Sequence, residues 1–206
     1  MTEFSAQDVQ KLRKDTNVGM MDAKKALSET GGDYEKARDY LREKGLADAK
    51  KRADRDANQG TIGIYVHHQF ERPVMGVVVE LSSETDFVAK SPEFQEVADD
   101  VAMHIAASAP RWVSTEAVPS GAVEKERDLI ARQAANEGKP DTIIPKIVEG
   151  KVNSFYQDFV LYEQRFVNAE KFDGTVGELV ARLAAKMGEN IGVKRFARIA
   201  VGEQED

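Results

Sequence analysis

With no cysteine in the chain, thiolate metal sites, thiol nucleophiles, disulfides and redox chemistry are excluded together. Acid–base or metal chemistry then falls to three histidines and the carboxylates. His67 and His68 are neighbours in a segment with strand character, so their side chains point to opposite faces and cannot readily share one metal ion. His104 falls within a long predicted helix, where a packed role is the simpler reading, and no companion ligands stand at metal-site spacing. Acids are numerous, but no pair is isolated among apolar residues as a raised pKa requires. The phosphate-cradling Gly-x-x-x-x-Gly-Lys-Ser/Thr loop, a Gly-x-Gly-x-x-Gly after a strand and a Gly-x-Ser-x-Gly elbow are all missing. These residues do not read as an enzyme, and no metal or cofactor is expected.

One segment stands apart: Ser82-Ser83-Glu84-Thr85-Asp86-Phe87-Val88-Ala89-Lys90. It lies between a predicted strand and a predicted helix, where a rigid scaffold can present side chains. Thr85 or Ser83 can cap a helix, with Asp86 near its positive end. Two readings stay open. Phe87 and Val88 can plug the junction of sheet and helix, as aromatic residues at element ends commonly do. Alternatively, Asp86 and Phe87 are displayed to a partner, the ring as anchor and the carboxylate as charge.

Periodicity gives the surrounding elements. Ser5 and Asp8 form a capping pair before Val9 and Leu12, Asn17-Val18-Gly19 breaks the pattern, and Met20, Ala23 and Leu27 resume it until Gly31-Gly32. Asp33 caps a third helix carrying Tyr34, Ala37 and Leu41, with Gly45 as its stop. Residues 1–46 thus form a small three-helix module, and the mixed charges of 47–60 read as a solvated helix or a charged linker. Thr61–Phe70 and Val74–Ser82 are β-branched segments joined at Glu71-Arg72-Pro73 as a hairpin. Ser91-Pro92-Glu93 opens a helix whose buried stripe is Phe94, Val97, Val101 and Ile105. An antiparallel helical hairpin spans about 122–157, turning at Glu137-Gly138-Lys139-Pro140, and Pro145 is tolerable only in the first turn of its second helix. An amphipathic helix at Thr175–Gly188 and a returning strand at Ile191–Val201 complete a core domain of residues 61–206. Strands and helices are segregated, so the class is α+β with an antiparallel sheet.

Composition narrows the partners. With 29 Lys+Arg against 36 Asp+Glu the net charge is −7, which disfavours nucleic acid as the main ligand, since counterion release needs clustered bases. No run approaches the ~20 apolar residues of a spanning helix, and Met1-Thr2-Glu3-Phe4-Ser5 has no signal-peptide character. The expected location is the cytoplasm and the expected partner is a protein or a small molecule.

Leu12-Arg13-Lys14-Asp15-Thr16-Asn17-Val18-Gly19-Met20-Met21-Asp22-Ala23-Lys24-Lys25-Ala26-Leu27 strongly resembles the amino-terminal module of the translation elongation factor Ts family. Thr85-Asp86-Phe87-Val88-Ala89-Lys90 is similar to that family's core signature. Tyr65-Val66-His67, Ile105-Ala106-Ala107-Ser108, Val148-Glu149-Gly150-Lys151 and Arg195-Phe196 extend the likeness over nearly the whole chain. The resemblance implies a ubiquitin-associated-like fold for the module and guanine-nucleotide exchange on elongation factor Tu, bound both with GDP and without nucleotide. It implies that Phe87 wedges into an apolar pocket of the partner's nucleotide domain and that Asp86 disturbs the Mg²⁺ surroundings, with Thr85 and Val88 holding the pair. Leu12, Met20 and Lys24 would dock the module on the same partner, and His67 is a weaker contact.

The departure from the family pattern is length. Longer members carry a duplicated core, whereas this short form holds one, with the Tyr-Val-His and Thr-Asp-Phe runs merged into a single hairpin. A second copy of the chain is therefore expected to supply the missing surface in a homodimer. Two other functions compete: an adaptor whose module binds another protein while 85–88 is only core, and a small hydrolase using His67 or His104. The order of the motifs favours the exchange factor.

Overall fold

The computed structural model describes residues 4–16 and 18–203. The expected break at Asn17 and the start Met1-Thr2-Glu3 lie outside the described residues. The helices α1 (Ala6–Thr16), α2 (Met20–Glu29) and α3 (Tyr34–Arg52) come first. The strands β1 (Gln59–Gln69) and β2 (Arg72–Ser83) come next, then α4 (Asp86–Ala89), α5 (Pro92–Ser108), α6 (Ser120–Asn136), α7 (Ile144–Phe159), α8 (Val176–Met187) and β3 (Gly192–Ala200). The class is α+β, with three helices preceding a three-stranded sheet.

By compactness the described residues form two units. The first runs to Thr61 and includes Leu81–Gln95 and Glu178–Gly192; the second comprises Ile62–Glu80, Glu96–Gly177 and the chain from Val193.

In the first unit the capping logic of the sequence is realised. The Asp8 N–H donates to Ser5 Oγ at 3.2 Å while the Asp8 carboxylate accepts the Ser5 N–H at 2.8 Å, a reciprocal pair that starts α1. Asp33 accepts the Lys36 N–H at 3.2 Å and starts α3. Gly31 and Gly32 adopt φ of 67° and 82°, and the Gly32 N–H closes α2 on the Leu27 carbonyl at 2.7 Å. Val9, Leu12, Ala23, Ala26, Leu27, Ala37 and Leu41 make the small core, with Phe4, Val18, Tyr34 and Tyr40 around it. The third helix does not stop at Gly45 but continues to Arg52. A glycine inside a helix costs only about 1 kcal/mol relative to alanine, and the good helix formers after it, with an Asp48–Lys51 pair at 3.2 Å, carry the helix through. Arg42 Nε donates to Glu178 at 2.7 Å, which ties α3 to the start of α8.

In the second unit the sheet has the order β1-β2-β3. Only Phe70 and Glu71 separate β1 from β2, so the hairpin turn lies earlier than Glu71-Arg72-Pro73 and Pro73 is already in β2. A two-residue turn that matches strand twist needs positive φ, and Phe70 supplies it at 59°. The Val201 N–H meets the Val74 carbonyl at 2.9 Å near the start of β2, and Ser82 Oγ donates to the Gly192 carbonyl at 3.0 Å near its end, so β3 runs antiparallel to β2. Gly63 is required by close approach: a Cβ there would stand 2.2 Å from the Ala98 carbonyl oxygen of α5. Phe94, Val97, Val101 and Ile105 are buried as the spacing predicts. The helical hairpin is α6 and α7, closed by Ile130, Val148 and Val152, with Pro145 in the first turn of α7.

Candidate interaction site at the turn after β2

Beyond β2 the chain cannot pair further and is captured by its own side chains. Ser83 Oγ donates to the Thr85 carbonyl at 3.0 Å. Thr85 is extended (φ −121°, ψ 155°) and its hydroxyl accepts the Val88 N–H at 3.4 Å, which makes it the N-cap of α4. After one turn Ser91 takes over: its hydroxyl donates to the Val88 carbonyl at 2.8 Å and accepts the Phe94 N–H at 3.4 Å, capping α5. Two caps this close together leave a single rigid turn between a strand and a long helix.

That turn decides between the two readings of Phe87. The ring is 84% exposed, while Val88 is half-buried and Ala89 buried. Phe87 therefore plugs nothing; a large apolar side chain is held in solvent on a rigid base. Asp86 is also exposed, and Lys90 Nζ donates to it at 2.5 Å from one turn on. That hydrogen bond and the adjacent positive charge hold its carboxyl below the usual aspartate range.

The three residues expected to dock the module separate into two kinds. Leu12 is wholly buried in the core of the first unit. It offers no surface, because the α1 stripe that carries it faces α2 and α3, and its place among docking residues is corrected to core. Met20 and Lys24 lie one turn apart on the exposed face of α2. Met20 is 48% and Met21 74% exposed, so neither serves the core.

A family profile described as elongation factor TS matches residues 47–203. Over 201 residues the chain is 48% identical to the elongation factor Ts of Fervidobacterium nodosum, covering 98% of this chain and 100% of that protein. It is 49% identical over 200 residues to that of Geobacter metallireducens, covering 97% of this chain and 90% of the relative. The chain belongs to the elongation factor Ts family. Membership places it among the translation elongation factors; the relative from Thermosipho melanesiensis, 47% identical over 200 residues, is also matched over 100% of its length.

The remaining candidates of this elongation factor Ts chain are the histidines. His67 is exposed on β1, its Nδ1 3.3 Å from the Tyr65 hydroxyl and its ring stacked on Tyr65. His104 is fully buried on α5. Its Nδ1 accepts the Val167 N–H at 3.2 Å, so the proton sits on Nε2, which donates to Gln164 Oε1 at 3.0 Å. Gln164 in turn donates to the carbonyls of Ser108 and Asp158. Burial holds the imidazole pKa below its ordinary value, and the satisfied network makes it a structural group. Among the described residues no cluster of three or more His, Cys, Asp or Glu could hold a metal ion, and no helix is long and apolar enough to cross a membrane.

Sequence reasoning missed Glu189 and Asn190, which contact the turn from 104 and 106 residues away in the chain. Neither has a motif around it, and only the fold brings them there.

Proposed function

We propose that this chain is the guanine-nucleotide exchange factor of elongation factor Tu and acts by binding rather than by bond chemistry. The observation that carries the reading is Phe87, almost fully exposed on a doubly capped turn. Exposed aromatic residues on rigid bases are the kind that dominate protein interfaces. Phe87 enters an apolar pocket of the GTPase, and Asp86, placed one residue before it, disturbs the ligation of the nucleotide's Mg²⁺. Its exposed ion pair with Lys90 is no obstacle, since such pairs exchange readily with other partners. Mg²⁺ demands near-ideal octahedral geometry, so its displacement leaves the diphosphate charge uncompensated and GDP leaves. Linkage fixes the thermodynamics: a factor that binds the nucleotide-free GTPase more tightly than the GDP form weakens GDP by the same ratio. GTP then rebinds from solution. Thr85 and Val88 hold the turn, Met20 and Lys24 dock the module on the partner, and His67 adds a peripheral contact.

A second copy of the chain completes the working unit. Ile62, Ile64 and Val66 alternate along the uncovered side of β1, and Val78 of β2 and Ile199 of β3 are exposed as well. Exposed apolar residues on all three strands of one sheet are the kind of surface that a partner covers.

Release of a fluorescent GDP analogue from elongation factor Tu tests the central reading. The wild-type chain accelerates it and Phe87→Ala loses about 10-fold or more of that acceleration. Equal acceleration by both moves the decisive contact away from Phe87; no acceleration by the folded wild type removes the exchange function.

A further inference from the structure

Glu189 lies two residues beyond α8, and its carboxylate accepts three hydrogen bonds from the turn. Oε2 takes the backbone N–H groups of Glu84 at 3.0 Å and Thr85 at 3.1 Å, and Oε1 takes the Thr85 hydroxyl at 2.6 Å. The neighbouring residue reciprocates. The Asn190 N–H donates to Glu84 Oε1 at 2.6 Å, and the Asn190 side-chain amide donates to the carbonyls of Ala53 at 3.2 Å and Arg55 at 2.7 Å, just past the end of α3.

The direction of the Thr85 hydroxyl matters most. It has one hydrogen and two lone pairs. Giving the hydrogen to Glu189 aims a lone pair at the Val88 N–H, which is the cap that starts α4. A helix of four residues cannot nucleate itself, because the first turn costs more conformational freedom than its bonds return. The shape of α4 is therefore imposed at its ends, and at the N-terminal end the imposing group is Glu189.

We propose that Glu189, with Asn190 beside it, is the positioning residue that sets the direction in which Phe87 leaves the surface and ties that turn to the segment leaving α3. Its effect on exchange rests on the exchange-factor reading; its effect on the turn does not. A turn held in one shape before binding loses less freedom on docking, so loosening it weakens the wedge without touching the ring.

The test uses the full chain with Glu189→Ala, Glu189→Gln, Phe87→Ala and the double variant Phe87→Ala/Glu189→Ala. Amide hydrogen exchange reads the clamp directly. In Glu189→Ala the Glu84 and Thr85 amides exchange on the order of 10-fold faster while those of α5 keep their protection. Acceleration of GDP release from elongation factor Tu falls by a similar factor of about 10. Glu189→Gln restores the protection of the Glu84 and Thr85 amides to within about 3-fold, because its amide oxygen still accepts the two N–H groups, but not the acceleration of release, because its amide nitrogen cannot accept the Thr85 hydroxyl hydrogen. In the Phe87→Ala background Glu189→Ala brings no further loss. Unchanged exchange at Glu84 and Thr85, or losses that simply add in the double variant, overturn the proposal. If wild type fails to accelerate release, the exchange function is refuted and the amide data alone judge the clamp. If protection is lost throughout Glu189→Ala, Glu189→Gln judges the clamp instead: Val88 amide exchange that rises on the order of 10-fold while Glu84 and Thr85 keep their protection supports it, and unchanged exchange at Val88 overturns it.

Discussion

Phe87 and Leu12 show how far residue type alone carries an interaction argument. Both are apolar residues in a helical segment; pattern puts Leu12 in an apolar stripe and leaves Phe87 open between core and display, whereas the family resemblance implies a docking role for both. The structure buries Leu12 completely and leaves Phe87 in solvent. The physical difference lies in the elements around each residue: Leu12 has two partner helices to face, whereas Phe87 sits on a single turn whose only inward positions are Val88 and Ala89. Consequently Leu12→Ala costs about 2–5 kcal/mol of the stability of the three-helix unit, while Met20→Ala changes stability by less than about 0.5 kcal/mol and weakens partner binding. Thermal unfolding and titration with elongation factor Tu separate the two; a stable Leu12→Ala, or unaltered binding by Met20→Ala, contradicts the assignment.

Local elements are largely legible in the sequence because their signals are local. The Ser5–Asp8 and Asp33–Lys36 caps, the Gly31-Gly32 stop, the α5 stripe and the hairpin around Ile130 and Val148 all depend on neighbours within a turn or two of chain. Three features are not legible there. Helix α3 passes Gly45 because one unfavourable residue cannot outweigh the turns on either side. The β-hairpin turns at Phe70 because strand register, not turn composition, fixes its place. The Glu189 clamp is invisible because its spacing along the chain carries no period. The sheet is also the element at which assembly is tested. Ile62, Ile64 and Val66 on its open side predict that the wild type sediments as two chains and Ile64→Asp as one. A wild type that sediments as one chain and still accelerates GDP release fully excludes the second copy.

At the scale of the whole molecule, stability depends on the titration of a buried group. His104 is neutral, buried and bonded through both ring nitrogens, and burial lowers its pKa from 6.5. The unfolded chain therefore binds a proton near pH 6.5 that the native chain refuses. Its contribution is fully present above that pH and is lost progressively as the pH falls toward the depressed native value. Denaturant unfolding across pH 6.5 should show this slope in the wild type and a flatter one in His104→Gln; equal slopes contradict the assignment. The net charge of −7 leaves the chain without the excess of bases that counterion release from nucleic-acid phosphates requires, in keeping with the proposed binding to a protein.

The most direct test of that binding account compares the affinity of the chain for elongation factor Tu without nucleotide and with GDP, by calorimetry under matched Mg²⁺. Exchange by linkage predicts much tighter binding to the nucleotide-free form, with GDP affinity reduced by the same factor once the chain is bound. Equal affinity for the two forms would contradict the account, because a partner that does not distinguish them cannot drive the nucleotide off.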